Sequence, residues 1–408
     1  MLDFQTIAAV VFLIALTIFV FLKRKNLDTK QIIPYFLYFS MYKTKLGLKL
    51  MDSLAKKHRK FMIYIGYAGI LVGFLGMILI SYGLISNIYV LFTKPEAIPG
   101  VGLVLPFKAK GIFFVPFFYW IISIFVIATV HEFSHGLIAR ANNLKVKSSG
   151  FAFLGLIVPI IPAAFVEPDE KELRKRPHKE QLSVFAAGPF SNIAIAFLFL
   201  AIASFILAPI ANAAIEANGV KVTDYVKEVA GERVSSRASH ATGLFPAESA
   251  GIKIGEIIQQ IDDKSTPYVE NLSTALRSKK PDEIVTIKTD KSSYEIKLAK
   301  NPENESLAYI GVYLEQSTKI KEDVKESYGG FLPNALIWVY GLFVILVILN
   351  FGIGLFNLVP IGPLDGGRML QLVLHRIFDK KKGNKVWYYI GMFFLILIFI
   401  NITAGFVR

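Results

Sequence analysis

His131-Glu132-Phe133-Ser134-His135-Gly136 closes an uninterrupted apolar run from Ile112 to Val130. If that run is helical, His131 and His135 stand one turn apart on one face, where two imidazoles can grip a single metal ion. Glu132 lies beside them, placed to take a proton from a water at the metal, which is the HExxH arrangement of zinc hydrolases. Both flanks of the motif read as membrane. Two imidazoles and a carboxylate are costly in hydrocarbon, so such a cluster marks a functional site by default. A short pattern also arises by chance, but this chain has only 6 histidines, and two of them bracket a glutamate at the required spacing.

The chain has 408 residues, 54% of them hydrophobic, which fits a polytopic membrane protein with room for one extra-membrane domain. Cysteine is absent. Disulfides and thiolate ligands are thereby excluded, leaving His, Asp and Glu to hold zinc. The formal charge of +14 does not point to nucleic acid, because residues 211–330 carry 16 Lys+Arg against 19 Asp+Glu. The basic excess therefore sits in short loops beside apolar spans, where it sets membrane orientation.

Residues 6–22 form a first span, ending in Lys23-Arg24-Lys25 with no basic start, so they read as a retained helix rather than a cleaved leader. Residues 23–60 carry 11 Lys+Arg against two Asp and are expected on the cytoplasmic side. Within them Ile32–Tyr42 reads as an in-plane amphipathic segment or an ordinary basic loop. The second span, Phe61–Phe92, carries Gly66, Gly69, Gly73 and Gly76 on one face, a stripe that admits a closely packed helix.

After the HExxH span, Gly150–Val166 is apolar but short and contains Pro159 and Pro162. It reads as a re-entrant loop or hairpin beside the metal, with a short kinked helix as the other reading. An open strand edge there could accept a substrate strand. The fourth span, Leu182–Ile210, starts with Gly188, Pro189 and Asn192, where Gly-Pro is expected to open the helix locally. Residues 213–318 change character to polar, strand-like and Ser-rich. The fifth span, Phe331–Val359, carries Asn350 and Asn357 on one face and runs into Pro360-Ile361-Gly362-Pro363-Leu364-Asp365-Gly366-Gly367-Arg368. Two prolines and three glycines predict a broken helix that lets Asp365 turn inward toward a cation, unless it sits in a cytoplasmic turn paired with Arg368. A last span covers Val386–Phe406.

HExxH on a membrane helix, a later Asn-x-x-Pro followed by Leu-Asp-Gly, and Gly-Pro-x-x-Asn between them together resemble the site-2 protease family of intramembrane zinc metalloproteases. The likeness spans about residues 111–370. It implies that His131, His135 and Asp365 ligate Zn2+ and that Glu132 is the general base. It further implies that Asn357 orients substrate or stabilises the oxyanion, and that Gly188, Pro189 and Asn192 help hold substrate. The stretch Phe245–Ile252, continuing through Gly255 to Asp262, resembles PDZ domains of membrane-associated proteases.

The expected fold is an α-helical polytopic membrane protein, about six transmembrane helices plus a re-entrant loop, with an inserted small α+β PDZ-like domain. The expected division is 1–110, N-terminal helices and basic loop; 111–212, first catalytic part; 213–318, PDZ-like domain; 319–408, second catalytic part and last helix. Transmembrane protein substrates and membrane lipid are the expected partners, without nucleic acid, and the PDZ-like domain is expected to bind peptide. A prokaryotic cell membrane is the expected location, with the PDZ-like domain extracytoplasmic and the active site toward the cytoplasm. A catalytically inactive scaffold that recruits partners through the PDZ-like domain is the alternative.

Overall fold

The computed structural model describes residues 4–33, 37–94, 97–156, 158–226, 228–229, 232–233, 246–301 and 304–407. The chain opens with α1 (Phe4–Leu22), strands β1 (Leu27–Ile33) and β2 (Leu37–Thr44), the short helix α2 (Leu48–Lys57) and α3 (Arg59–Thr93). α4 (Phe117–Ala141) carries the HExxH residues and is followed by the antiparallel hairpin β3 (Val146–Leu156) and β4 (Val158–Pro168). α5 (His178–Ile202) continues helically to Ala214. After a β-rich insert come α6 (Phe331–Phe356), α7 (Asp365–Ile377) and α8 (Lys380–Val407). Among the described residues, six helices are long and apolar enough to cross a bilayer: α1, α3, α4, α5, α6 and α8.

The chain divides into two compact units, Met1–Ser204 with Gly341–Arg408, and Phe205–Tyr340. In the first, the glycine stripe of α3 is buried against its neighbours. An added Cβ at Gly66 would meet Ser183 at 3.0 Å, at Gly73 Met369 at 2.8 Å, and at Gly76 Leu358 at 2.5 Å. Helices in lipid gain little from hydrophobic exclusion of one another, so close backbone approach of this kind is what holds them.

Gly150–Val166 is a hairpin and not a kinked helix, and it belongs to a four-stranded sheet of order β1-β2-β3-β4. Here the reading of Ile32–Tyr42 needs correction, because its described residues are strand rather than an in-plane segment or a loop. β2 pairs with β3 from Leu37↔Leu156 to Thr44↔Ser149. An extended backbone flanked by apolar helices needs partners for its N–H and C=O groups, and this ladder supplies them to β2 and β3 on both sides. β4 is one of the sheet's two edge strands, the place in a sheet that tolerates Pro159 and Pro162.

Two further expectations change. The apolar run from Ile112 is not helical throughout, since Ile112–Phe114 pairs in parallel with Leu103–Leu105 and α4 starts after Pro116. Proline's fixed φ and missing N–H suit a helix start. Gly188-Pro189 also does not open α5, which runs through both residues. Pro189 removes one ladder bond, a loss that packing against adjacent helices can absorb in a membrane helix.

The second unit is built on β5 (Ile215–Tyr225), β6 (Ile257–Ile261), β7 (Ile284–Thr289), β8 (Ser293–Lys297) and β9 (Val312–Ile320). They pair antiparallel in the order β8-β7-β6-β5-β9, with a short helix over Val269–Arg277. Strict alternation along β7 buries Val285 and Ile287 with Ile258, Ile261 and Leu272 in one core. Lys279 lies between Asp262 (2.6 Å) and Glu283 (2.9 Å), and its ammonium holds both carboxyls below their usual range. Phe245, the first residue of the PDZ-like stretch, lies outside the described residues.

Replacing Gly76 by leucine should force α3 away from Leu358. We expect a loss of about 1–3 kcal/mol, the usual cost of overpacking, read as a lowered unfolding midpoint in detergent. A midpoint equal to that of the wild type would refute the close-approach reading.

Candidate metal centre

One helical turn separates His131 from His135 on α4, and both side chains are buried, each residue 9% exposed. Asp365 reaches them because α6 ends at Phe356 and the chain turns sharply before α7. Gly366 N–H closes that turn on the Asn357 carbonyl at 2.8 Å. A Cβ at Gly366 would collide with the Leu358 carbonyl, so the turn requires glycine. Asp365 Oδ2 then stands 3.1 Å from His131 Nε2 and 3.3 Å from His135 Nε2, while the two Nε2 atoms are 3.1 Å apart.

Proton accounting shows what this cluster lacks. His135 Nδ1–H donates to the Val184 carbonyl at 2.7 Å, so in the neutral ring, the form that ligates a metal, its Nε2 carries a lone pair. That lone pair faces a carboxylate oxygen with nothing to share between them. His131 Nδ1 meets the side-chain amide of Asn192 at 3.2 Å, and Asn192 Oδ1 is buried without a partner. Exchanging the amide's O and N, which fill equivalent positions, lets Oδ1 accept from Nδ1–H and frees the second Nε2 as well. Three acceptors then converge, and a cation is what reconciles them. Donors about 2.0–2.1 Å from a tetrahedral zinc stand roughly 3.3–3.4 Å apart, close to the separations here. His131, His135 and Asp365 fit a zinc ion.

Glu132 Oε2 accepts a hydrogen bond from the backbone N–H of Val166 in β4 at 2.9 Å, which ties the carboxylate to the hairpin's edge. Gly188 packs directly under the imidazoles. A Cβ there would collide with His135 Nε2 and lie 2.6 Å from His131 Nε2. The family resemblance implies that Gly188, Pro189 and Asn192 help hold substrate; Gly188 and Asn192 touch the histidines, and Pro189 is buried one residue beyond Gly188. The Asn357 side-chain amide donates to Ile353 O on its own helix at 3.1 Å. Arg368 is not the partner of Asp365; its guanidinium lies 3.9 Å from Glu170 and over the Phe185 ring.

Sequence reasoning missed Val184 and Val166. Both act through main-chain atoms, which any residue type supplies, so no composition signal marks them.

A family model described as peptidase family M50 matches residues 119–398. An uncharacterized protein of Methanocaldococcus jannaschii is 28% identical over 370 residues, covering 88% of this chain and 83% of that protein. A protein of Staphylococcus aureus strain N315 with a provisional zinc-metalloprotease name is 24% identical over 312 residues, 64% of this chain and 66% of its own length. Among solved structures, the PDZ domain of an SdrC-like protein from Listeria monocytogenes matches at 20% identity with a TM-score of 0.18. That match covers 24% of this chain and 87% of the domain.

Two substitutions test the centre without reference to turnover. Gly188→Ala should displace the imidazoles and leave the purified protein with well under one zinc per chain by elemental analysis. Asn192→Ala should keep the fold but weaken zinc by about 10–100-fold in a chelator competition, the usual effect of losing a ligand's hydrogen-bond partner. Full zinc retention in both would refute the assignment.

Proposed function

The chain belongs to peptidase family M50, and from that premise we propose that it hydrolyses peptide bonds inside the transmembrane segments of other membrane proteins. At family level it is a zinc metalloprotease, and it is an integral membrane protein. The convergence of His131, His135 and Asp365 beside Glu132, on a helix apolar enough to span the bilayer, carries the reading.

In this reading His131, His135 and Asp365 hold the metal. Bound zinc supplies Lewis acidity that polarises the scissile carbonyl and activates water. Glu132 takes the proton of the attacking water and passes it to the leaving amine. The Val166 N–H keeps that carboxylate aimed, and Asn192 keeps His131 in the ligating tautomer. Asn357 acts on the oxyanion or the substrate backbone when its amide leaves the Ile353 carbonyl. A peptide bond within a helix is shielded, so substrate must unwind locally, and the open edge of β4 offers a strand for it to pair with.

The four-part division 1–110, 111–212, 213–318 and 319–408 belongs to this proposal, as does its orientation. Residues 23–60 and the metal face the cytoplasmic side of a prokaryotic cell membrane, and residues 213–318 lie outside as a PDZ-like filter. The filter binds peptide and withholds substrates until their outer portion has been trimmed.

Purified protein given a single-pass substrate should cut inside the hydrophobic segment, and a chelator should stop it. Glu132→Gln should lower the rate by at least about 10²–10⁴-fold, the contribution typical of general acid–base catalysis, while still binding one zinc. Failure of both proteins to cut several substrates, with zinc bound, would favour the scaffold reading. Deleting residues 213–318 should extend cleavage to untrimmed substrates; unchanged selectivity would remove the filter from the proposal.

A further inference from the structure

An apolar pocket of about 130 Å³ opens beside Glu132, a volume that none of the steps above uses. Met51 of α2, Phe125 and Phe133 of α4, Phe151 of β3 and Val166 of β4 line it, with Glu132 as its acid. Two of the polar groups on its walls are engaged elsewhere, and Thr129 adds a hydroxyl. Val166 N–H donates to Glu132, and Ser149 Oγ donates to the Leu46 carbonyl. The inner wall is firm, because Met51 is 2% exposed and packs on Gly136. Phe125, by contrast, is 58% exposed. The pocket is thus mostly apolar, braced on one side and rimmed by a surface phenyl.

We infer that this pocket is the subsite that reads one of the two side chains flanking the scissile bond, and that it selects a medium-sized apolar one: leucine, isoleucine, methionine or phenylalanine. This rests on the protease reading above. A strand laid on the edge of β4 turns every second side chain to the same face. Val166 both lines the pocket and holds the base, so a side chain entering there belongs to a residue next to the attacked carbonyl. An apolar cavity of about 150 Å³ holds a benzene ring. The pocket here is filled by a branched aliphatic chain or one ring, left half empty by alanine, and too small for an indole.

The test uses the full-length protein and a single-pass substrate whose cut has been mapped. Each flanking position carries Ala, Leu, Phe or Trp in turn, presented to wild type, Phe125→Ala and Ala164→Leu. Ala164 lines the pocket, so leucine there fills it. Wild type should prefer Leu or Phe over Ala and Trp by about ten-fold or more in kcat/KM, at one position only. Phe125→Ala should admit Trp, and Ala164→Leu should move the optimum to Ala. Continued cutting of the Ala substrate, with one zinc per chain, shows that Ala164→Leu is folded; failing that, the decision rests on Phe125→Ala. Cleavage with the same preferences in wild type and Phe125→Ala would overturn the pocket's role and leave the protease reading standing. No cleavage by wild type of any substrate would overturn both.

Discussion

The membrane unit is arranged around one electrostatic problem, the meeting of three lone-pair donors in a largely buried place. His135 Nε2 and Asp365 Oδ2 face one another at 3.3 Å with the imidazole's proton spent on Val184. Without a positive charge between them the arrangement is repulsive, and in hydrocarbon the penalty is steep. α5 supplies three of the accommodations: the Val184 carbonyl, the absence of a side chain at Gly188, and the amide of Asn192. One helix thus sets both ring tautomers and the space under the rings. The break after α6 then has only to deliver one carboxylate.

Backbone polarity is the second constraint, and the sheet is its solution. A hairpin carrying Pro159 and Pro162 could not complete its own hydrogen bonding, yet β3 finds β2 on its other side and β2 finds β1. Val166 completes the pattern by giving its outward N–H to a side chain, Glu132, rather than to a strand. The same bond that satisfies an edge amide therefore orients the Glu132 carboxylate. Stability and chemistry are met here by one contact.

Much of this was legible from local pattern. The spans show as apolar runs, the glycine stripe of α3 as a face, and the HExxH pair as a turn of helix, because each depends on residues close in sequence. The break before Asp365 was legible from Pro360 and Pro363 for the same reason. What stayed hidden is long-range or main-chain. The pairing of Leu37 with Leu156 joins segments with three helices between them, and nothing in Ile32–Tyr42 announces that partner. An apolar run also cannot say where strand gives way to helix, so the start of α4 at Phe117 was not visible. Asn357 shows a different limit, since its residue type is as expected but its amide turns to Ile353, a choice of rotamer and not of sequence.

The β-rich insert enters and leaves through neighbouring strands, with Ile215 directly paired to Ile320. Its two chain ends are therefore one strand spacing apart, roughly 5 Å. A part joined at two adjacent points is modular. Its loops can lengthen, its strands can be rebuilt, or another domain can take its place, and the chain still resumes where it left off. Such an insertion can vary while the cluster of His131, His135 and Asp365, which leaves no room for a side chain at Gly188, stays as it is.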